Sequence, residues 1–227
     1  MTQRATWAKI YVGPMDIRVS EDPADAAAAW MAGRLRDAVR RRGHASVAVS
    51  GGSTAPPMFA ALVDLEVPWE RIVIWQVDER VAADGSSDRN AIQLASFPGE
   101  VRLMPVTSPD LRAAARDYAQ HLPDRFDVVH LGLGDDGHTA SWPPGDEVID
   151  SRRNVEVTRE FNGRIRMTLT PGAVNAARSR LMLAVGIAKA AAVEGWLLRD
   201  ASLPVVRVRQ SGTIVFLDPE AASRLPM

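Results

Sequence analysis

Residues 126–138 read FDVVHLGLGDDGH, an apolar run that passes directly into a loop of glycine, aspartate and histidine. A short run rich in β-branched residues and bounded by glycine is typical of a buried strand in a parallel sheet. Two further runs have the same design: SVAVS at 46–50 continues into Gly51, and RIVIWQV at 71–77 continues into Asp78. Together the three runs predict the centre of a parallel α/β sheet.

Helix-like segments lie between strand-like ones from end to end. Asp22-Pro23 starts a helix that runs to about Arg42 and stops at Gly43. We expect further helices at 57–65, 110–121 and 187–199, a turn at Pro171-Gly172 and a closing helix capped by Asp218. Further strands are expected at 165–169, 181–185, 205–209 and 213–217. This alternation predicts one domain over 1–227, an α/β fold with a doubly wound, mostly parallel sheet and helices on both faces.

Composition excludes several classes of protein. The chain has 227 residues, no cysteine and a formal net charge of -1. Disulfides, thiolate metal sites and cysteine nucleophiles are therefore absent, and the charge gives no general reason to bind nucleic acid or an anionic membrane. The start, MTQRATWAKIYV, lacks the apolar stretch of a signal peptide, and no run approaches the ~18 apolar residues that span a bilayer. We expect a cytoplasmic protein, monomeric or weakly homo-oligomeric.

Three polar loops should meet at one edge of the sheet, because ligands of open α/β sheets bind beyond the carboxyl ends of the strands. In the first loop, Gly51 and Gly52 let backbone N–H groups approach an anion. Ser53 or Thr54 can cap the next helix, whose N-terminus supplies partial positive charge, so the loop suits a monophosphate. The second loop, Asp78-Glu79-Arg80, is either a surface ion-paired turn or part of a site.

The third loop matches the dinucleotide pattern G-x-G-x-x-G at 132–137. A pyrophosphate there would lie beside Asp135 and Asp136, and Pro143, Pro144 and Gly145 leave no room for the helix that should follow. A nicotinamide cofactor is therefore not expected. The loop keeps His138 beside Asp136, while zinc-type spacings such as H-E-x-x-H are absent. We predict neither a metal nor a cofactor.

These loops, in this order, resemble the 6-phosphogluconolactonases of the glucosamine-6-phosphate isomerase/6-phosphogluconolactonase superfamily. The segments that carry the resemblance are SGGST at 50–54, VDER at 77–80 with Asn90, LGLGDDGHTAS at 131–141, RMTLT at 166–170 and GIAKA at 186–190. They cover roughly residues 15–225. The resemblance implies a Rossmann-like fold and metal-free hydrolysis of 6-phospho-D-glucono-1,5-lactone to 6-phosphogluconate, in the oxidative pentose phosphate pathway.

Residue roles follow from the resemblance. It implies that His138 is the general base that activates water and that Asp136 orients it. The residues implied to surround the phosphate and sugar, or to shape the pocket, are Gly51, Gly52, Ser53, Asp78, Arg80, Asn90, Arg166 and Lys189. The chain departs from the family at Trp142-Pro143-Pro144, where Leu-Phe-Pro is frequent, so the course of the pocket rim is left open.

Two alternatives remain. Aminosugar-phosphate deaminases and isomerases of the superfamily carry a glutamate soon after the histidine, whereas here no carboxylate follows His138 until Asp146. A non-catalytic sugar-phosphate sensor would keep the phosphate ligands but lose the base, and this chain retains His138.

Overall fold

The computed structural model describes residues 8–12 and 14–226, with side chains from residue 14 onward, so most of the segment tested for a signal peptide lies outside it. The strands are β1 (Ala8–Val12), β2 (Met15–Val19), β3 (Ala45–Val49), β4 (Ile72–Gln76), β5 (Asp78–Arg80), β6 (Glu100–Arg102), β7 (Val128–Gly132), β8 (Val155–Val157), β9 (Arg166–Leu169), β10 (Ser179–Ala184) and β11 (Thr213–Leu217). The helices are α1 (Pro23–Arg42), α2 (Ala55–Val63), α3 (Leu111–Gln120), α4 (Pro171–Ala176) and α5 (Ala190–Leu197).

The main sheet has the strand order β1-β2-β11-β10-β7-β3-β4-β6 within the described residues. All neighbours pair in parallel except β1 and β2, which form an antiparallel pair at one edge. From β3 the chain first builds outward through β4 to β6, then returns to the other side of β3 with β7. The strand order therefore reverses between β3 and β7, which is the position at which such sheets bind ligands.

Helices cover both faces of this sheet, as predicted. Alternate strand residues point to opposite faces, so Val47 and Ile74 pack against α1 and α2, whereas Ala48 and Trp75 face α3 and α5. Gly43 ends α1 in the left-handed conformation, with φ 80°, and its N–H donates to the Val39 carbonyl. The prediction of a doubly wound α/β fold is confirmed.

A second sheet of three antiparallel strands, in the order β5-β9-β8, was not predicted. Asp78-Glu79-Arg80 is therefore a strand and not the loop expected from its charges. The strand predicted at 165–169 exists as β9, but it pairs with β5 and β8 and not with the main sheet. Three-residue strands carry too little periodicity to be recognised from sequence.

Three local predictions were wrong. Pro171-Gly172 opens α4 instead of forming a turn, because proline suits the first helical position and Val174 is buried. Residues 205–209 form no strand: a short 3₁₀ helix spans Pro204–Arg207, and the Val205 N–H donates to the Gly137 carbonyl instead of to a sheet. The segment after Asp218 forms turns and not a helix.

The carboxylate of Asp218 is shared between two segments of the chain. It accepts hydrogen bonds from the Gly186 N–H, at 3.0 and 2.9 Å, and from the Ala221 N–H. Asp218 therefore links the end of β11 to the loop before Lys189.

Among the described residues, no helix is both long enough and apolar enough to cross a membrane.

Candidate active site

A pocket opens at the carboxyl ends of β3 and β7, where the strand order reverses. Of the ten residues predicted for the site, nine line this pocket and Asp136 lies behind His138. The nine are Gly51, Gly52, Ser53, Asp78, Arg80, Asn90, His138, Arg166 and Lys189. No helix follows the loop at 132–137, as Pro143, Pro144 and Gly145 predicted.

His138 and Asp136 form a hydrogen-bonded pair. Nδ1 of His138 lies 2.5 Å from Oδ1 of Asp136, and the same oxygen accepts the His138 backbone N–H at 3.0 Å. Partial burial raises the pKa of Asp136, but the hydrogen bonds and charge of His138 outweigh it and hold that pKa below its ordinary value. An ionised carboxylate only accepts, so in the neutral form of the imidazole the hydrogen would be on Nδ1 and the lone pair on Nε2.

Backbone contacts fix the loop that carries this pair. The Gly134 N–H donates to the His138 carbonyl at 2.8 Å, and Gly137 adopts a φ of 78° that glycine tolerates. Leu203 packs so closely on Gly137 that a Cβ there would lie 2.8 Å from Cδ2 of Leu203. The His138 ring also contacts Phe161 edge to face, with centroids 5.6 Å apart.

The glycine loop after β3 is shaped by its neighbour on the next loop. A Cβ on Gly51 would collide with the Asn90 side chain, so only glycine fits at this position. Asn90 is itself held in place, because Nδ2 donates to the Asp78 carbonyl at 3.0 Å. The Gly52 N–H donates to Oε1 of Gln93 at 3.1 Å. Thr54 precedes α2, yet its side chain makes no capping bond.

The small sheet brings together Asp78, Arg80 and Arg166. Arg80 on β5 is opposite Arg166 on β9, and Asp78 lies two residues from Arg80, so all three are on one face. Asp78 is buried, and burial raises its pKa, although the Ser141 hydroxyl at 2.7 Å and the charge of Arg166 oppose the shift. The pocket wall therefore carries two cations around one carboxyl group.

Lys189 reaches the pocket from a different element. It ends a 3₁₀ turn at Ile187–Lys189 and directly precedes α5. No cluster of three or more His, Cys, Asp or Glu side chains suited to a metal occurs in the part of the chain that the structure describes.

Comparison with known proteins identifies the family. The family model described as glucosamine-6-phosphate isomerases/6-phosphogluconolactonase matches residues 18–216. This chain belongs to that family.

Two curated relatives are both named 6-phosphogluconolactonase. The one from Streptomyces coelicolor is 34% identical, covering 92% of this chain and 93% of its own. The one from Nostoc sp. is 31% identical, covering 69% and 72%.

Two solved structures share the fold. The 6-phosphogluconolactonase from Trypanosoma brucei matches with a TM-score of 0.76 and 26% identity, covering 95% of this chain and 100% of that one. A monomeric glucosamine-6-phosphate deaminase matches with a TM-score of 0.78 and 20% identity, covering 93% and 99%. The family fold therefore carries both activities, and the side chains of the site must distinguish them.

The sequence did not predict the structural role of Glu79. Its side chain is fully buried, and its two oxygens accept the backbone N–H groups of Arg80, Asn90 and Ala91 at 2.7–2.8 Å. The Gln76 amide and the Arg89 guanidinium complete the cluster. Glu79 thus fixes the loop that presents Asn90 to Gly51. The sequence placed it in a charged triplet but held no sign that it would be buried.

Trp142, where the chain departs from the family pattern, does not reach the pocket. It is fully buried, and its Nε1 donates to the Leu169 carbonyl at 2.7 Å. The indole therefore supports the floor between the His138 loop and β9. The first carboxylate after His138, that of Asp146, does not line the pocket either, because its oxygens accept the N–H groups of Val148 and Arg159.

Proposed function

We propose that this protein hydrolyses 6-phospho-D-glucono-1,5-lactone to 6-phosphogluconate, the step named for its curated relatives. The observation that carries the proposal is the His138–Asp136 pair at 2.5 Å, beside a pocket whose other walls hold Arg80, Arg166 and Lys189. A general base and a set of cations for one phosphate are what lactone opening on a phosphosugar requires.

His138 acts first as base and then as acid. Nε2 takes a proton from water as the water oxygen attacks the lactone carbonyl carbon, and the resulting imidazolium is stabilised by the ionised Asp136. When the tetrahedral intermediate collapses, the bond from carbon to ring oxygen breaks. The ring oxygen then takes the proton back from Nε2 and leaves as the hydroxyl group of the open acid. The histidine ends the cycle neutral, so no other reactant is consumed.

The remaining site residues hold the substrate. Lys189, Arg80 and Arg166 supply charge for the phosphate and sugar oxygens, since charge-assisted hydrogen bonds are the stronger kind. The loop of Gly51, Gly52 and Ser53 lets the backbone approach the ligand closely, while the Gly52 N–H is held by Gln93. Asp78 and Asn90 shape the wall between them. We also propose that the chain acts in the cytoplasm, as one domain and without metal.

The alternative within the family is deamination of an aminosugar phosphate. Those enzymes resemble this chain up to the histidine but add a nearby glutamate, and here the first carboxylate in that direction, Asp146, is bonded elsewhere. We therefore favour the lactonase. A non-catalytic sensor is disfavoured for a different reason, because His138 is retained and lines the pocket.

One experiment tests the proposal. The purified chain is assayed with 6-phosphogluconolactone at a pH where spontaneous hydrolysis is slow, and in parallel with glucosamine 6-phosphate. Lactone turnover well above the spontaneous rate, without release of ammonia, is the expected result. Ammonia release without lactone turnover would identify a deaminase, and 6-phosphogluconate binding without turnover a sensor.

A further inference from the structure

A second polar concavity lies at the opposite edge of the main sheet, where β7, β10 and β11 begin. It is an open groove of about 640 Å³, lined by Arg125, Pro171, Gly172, Asn175, Ala176, Arg207 and Arg209. The pocket with His138 is at the carboxyl ends of these parallel strands, so the length of the strands separates the two concavities. This groove has no place in the mechanism above.

A buried cation lies beside the groove. Arg180 is 2% exposed, and its guanidinium donates only to neutral oxygens: the Thr213 hydroxyl and the carbonyls of Asn175, Ala177 and Ser211. None of the carboxylates described in the structure pairs with it. A buried charge without a partner of opposite sign is costly. Burial is the main cause that lowers the pKa of Arg180, and the positive charges of Arg209 and Arg125 lower it further. The three guanidinium groups are therefore close enough to repel one another.

Arg125 and Arg209 add two exposed cations that are also without a carboxylate partner in the described chain. Nε of Arg125 donates to the Ala176 carbonyl at 2.9 Å, which holds that guanidinium at the groove. Arg209 is held through its backbone, because its N–H donates to Oδ1 of Asn175 at 2.7 Å while Nδ2 of Asn175 donates to the Arg207 carbonyl. Arg207, by contrast, pairs with Asp150.

We propose that this groove binds a small molecule that carries two or more phosphate groups, through the guanidinium groups of Arg125 and Arg209. Guanidinium groups match the geometry of phosphate oxygens, and an anion here would compensate the charge of Arg180 as well. More than one phosphate is inferred because three cations lack a counter-charge. A small ligand fits better than a protein, since a stable protein interface needs about 800 Å² from each partner and some twenty residues.

The test is calorimetric titration of the intact protein with tripolyphosphate as the probe. The active-site pocket is first saturated with 6-phosphogluconate, and the wild type is compared with Arg209→Ala and with Arg125→Ala plus Arg209→Ala. Each lost charge-assisted contact should weaken binding at least tenfold. Arg112→Ala plus Arg116→Ala removes the same charge from exposed positions of α3 outside the groove lining, and should change affinity less than twofold.

Arg209→Ala should fold normally, because no hydrogen bond or ion pair joins the Arg209 guanidinium to the described chain. A loss of binding in this variant therefore reports on the groove and not on misfolding. The comparison between variants does not depend on the proposed activity. Wild-type affinity weaker than 1 mM, or equal affinities in wild type and both groove variants, would overturn the proposal. So would binding of a polyglutamate peptide in place of tripolyphosphate, which would point to an acidic protein partner.

Discussion

Gly134 and His138 approach so closely that a side chain on the glycine would occupy the space of the imidazole. An ideal Cβ at position 134 would collide with Nδ1 of His138, and it would come within 2.6 Å of Oδ1 of Asp136. The hydrogen bond between these two groups therefore exists only because residue 134 has no side chain. The glycine at position 134 therefore leaves the space that the pair of His138 and Asp136 occupies.

Gly134→Ala should accordingly lower kcat by ~10²–10⁴-fold, the usual contribution of a positioned general base, because the ring must leave its place beside Asp136. Gly33→Ala is the matched control. Its Cβ would meet nothing within 4 Å, and alanine in the middle of α1 should raise stability by about 0.5–1 kcal/mol with no change in turnover. A Gly134→Ala enzyme with wild-type kcat would contradict this account of the loop.

His138→Asn should lower kcat by ~10²–10⁴-fold while leaving the affinity for 6-phosphogluconate nearly unchanged, since the phosphate contacts lie on other elements. The measurement pairs steady-state kinetics with calorimetry on the same folded variant. If His138 merely stabilised the loop, ligand affinity and thermal stability would fall together with the rate. A kcat within about threefold of the wild type would show that His138 is not the base.

Lys189→Ala should mainly raise KM and leave kcat nearly unchanged. A contact with the phosphate, far from the reacting carbonyl, stabilises the bound substrate and the transition state equally. Loss of one charge-assisted hydrogen bond predicts a rise of about 10- to 100-fold. The variant should also lose much of its preference for the phosphorylated lactone over glucono-δ-lactone, and Lys189→Arg should recover part of it. A fall in kcat at unchanged KM would place Lys189 in the chemical step instead.

His130 should make the free energy of unfolding depend on pH. It is fully buried against Phe59, and neither ring nitrogen makes a hydrogen bond of standard geometry in the described chain. Burial lowers its pKa from 6.5 to about 3, although the nearby Ser50 backbone opposes the shift. Between those values the unfolded chain binds a proton on His130 and the folded chain does not. The contribution of His130 to stability is therefore complete above pH 6.5 and is lost progressively as the pH falls towards 3.

His130→Leu removes this dependence and leaves no polar group behind. Between pH 7 and pH 4.5 the wild type should lose about 2–3 kcal/mol more stability than the variant, as measured by urea unfolding at both values. His44→Gln, at an exposed histidine, serves as the control and should follow the wild type. Parallel losses in wild type and His130→Leu would mean that His130 takes no part in acid unfolding.

Activity should survive prolonged chelation, as the absence of zinc-type ligand spacings in the sequence predicts. The assay compares turnover of the phospholactone before and after dialysis against a chelator, with each divalent ion then added back separately. Restoration of a lost activity by one particular ion would disprove the prediction.

The main sheet and most of the site could be predicted because their signals are local in the chain. SVAVS, RIVIWQV and FDVVHL are buried strands whatever surrounds them, and in a parallel sheet their following loops meet at one edge. The three-stranded sheet could not be predicted, because Asp78-Glu79-Arg80 is too short to show a period. Neither could the 3₁₀ helix at Pro204–Arg207, where Val205 is buried without pairing in a sheet.

By itself the sequence determined the fold class, the edge of the sheet at which the pocket opens and the pair of His138 and Asp136, all through the order of strands and loops along the chain. Only the tertiary structure decided which charges face one another. Arg80 meets Arg166 because β5 pairs with β9, 86 residues later in the sequence at that register, and Glu79 is buried because three backbone N–H groups surround its carboxylate. Burial and long-range pairing arise from packing, and packing depends on residues far apart in the chain.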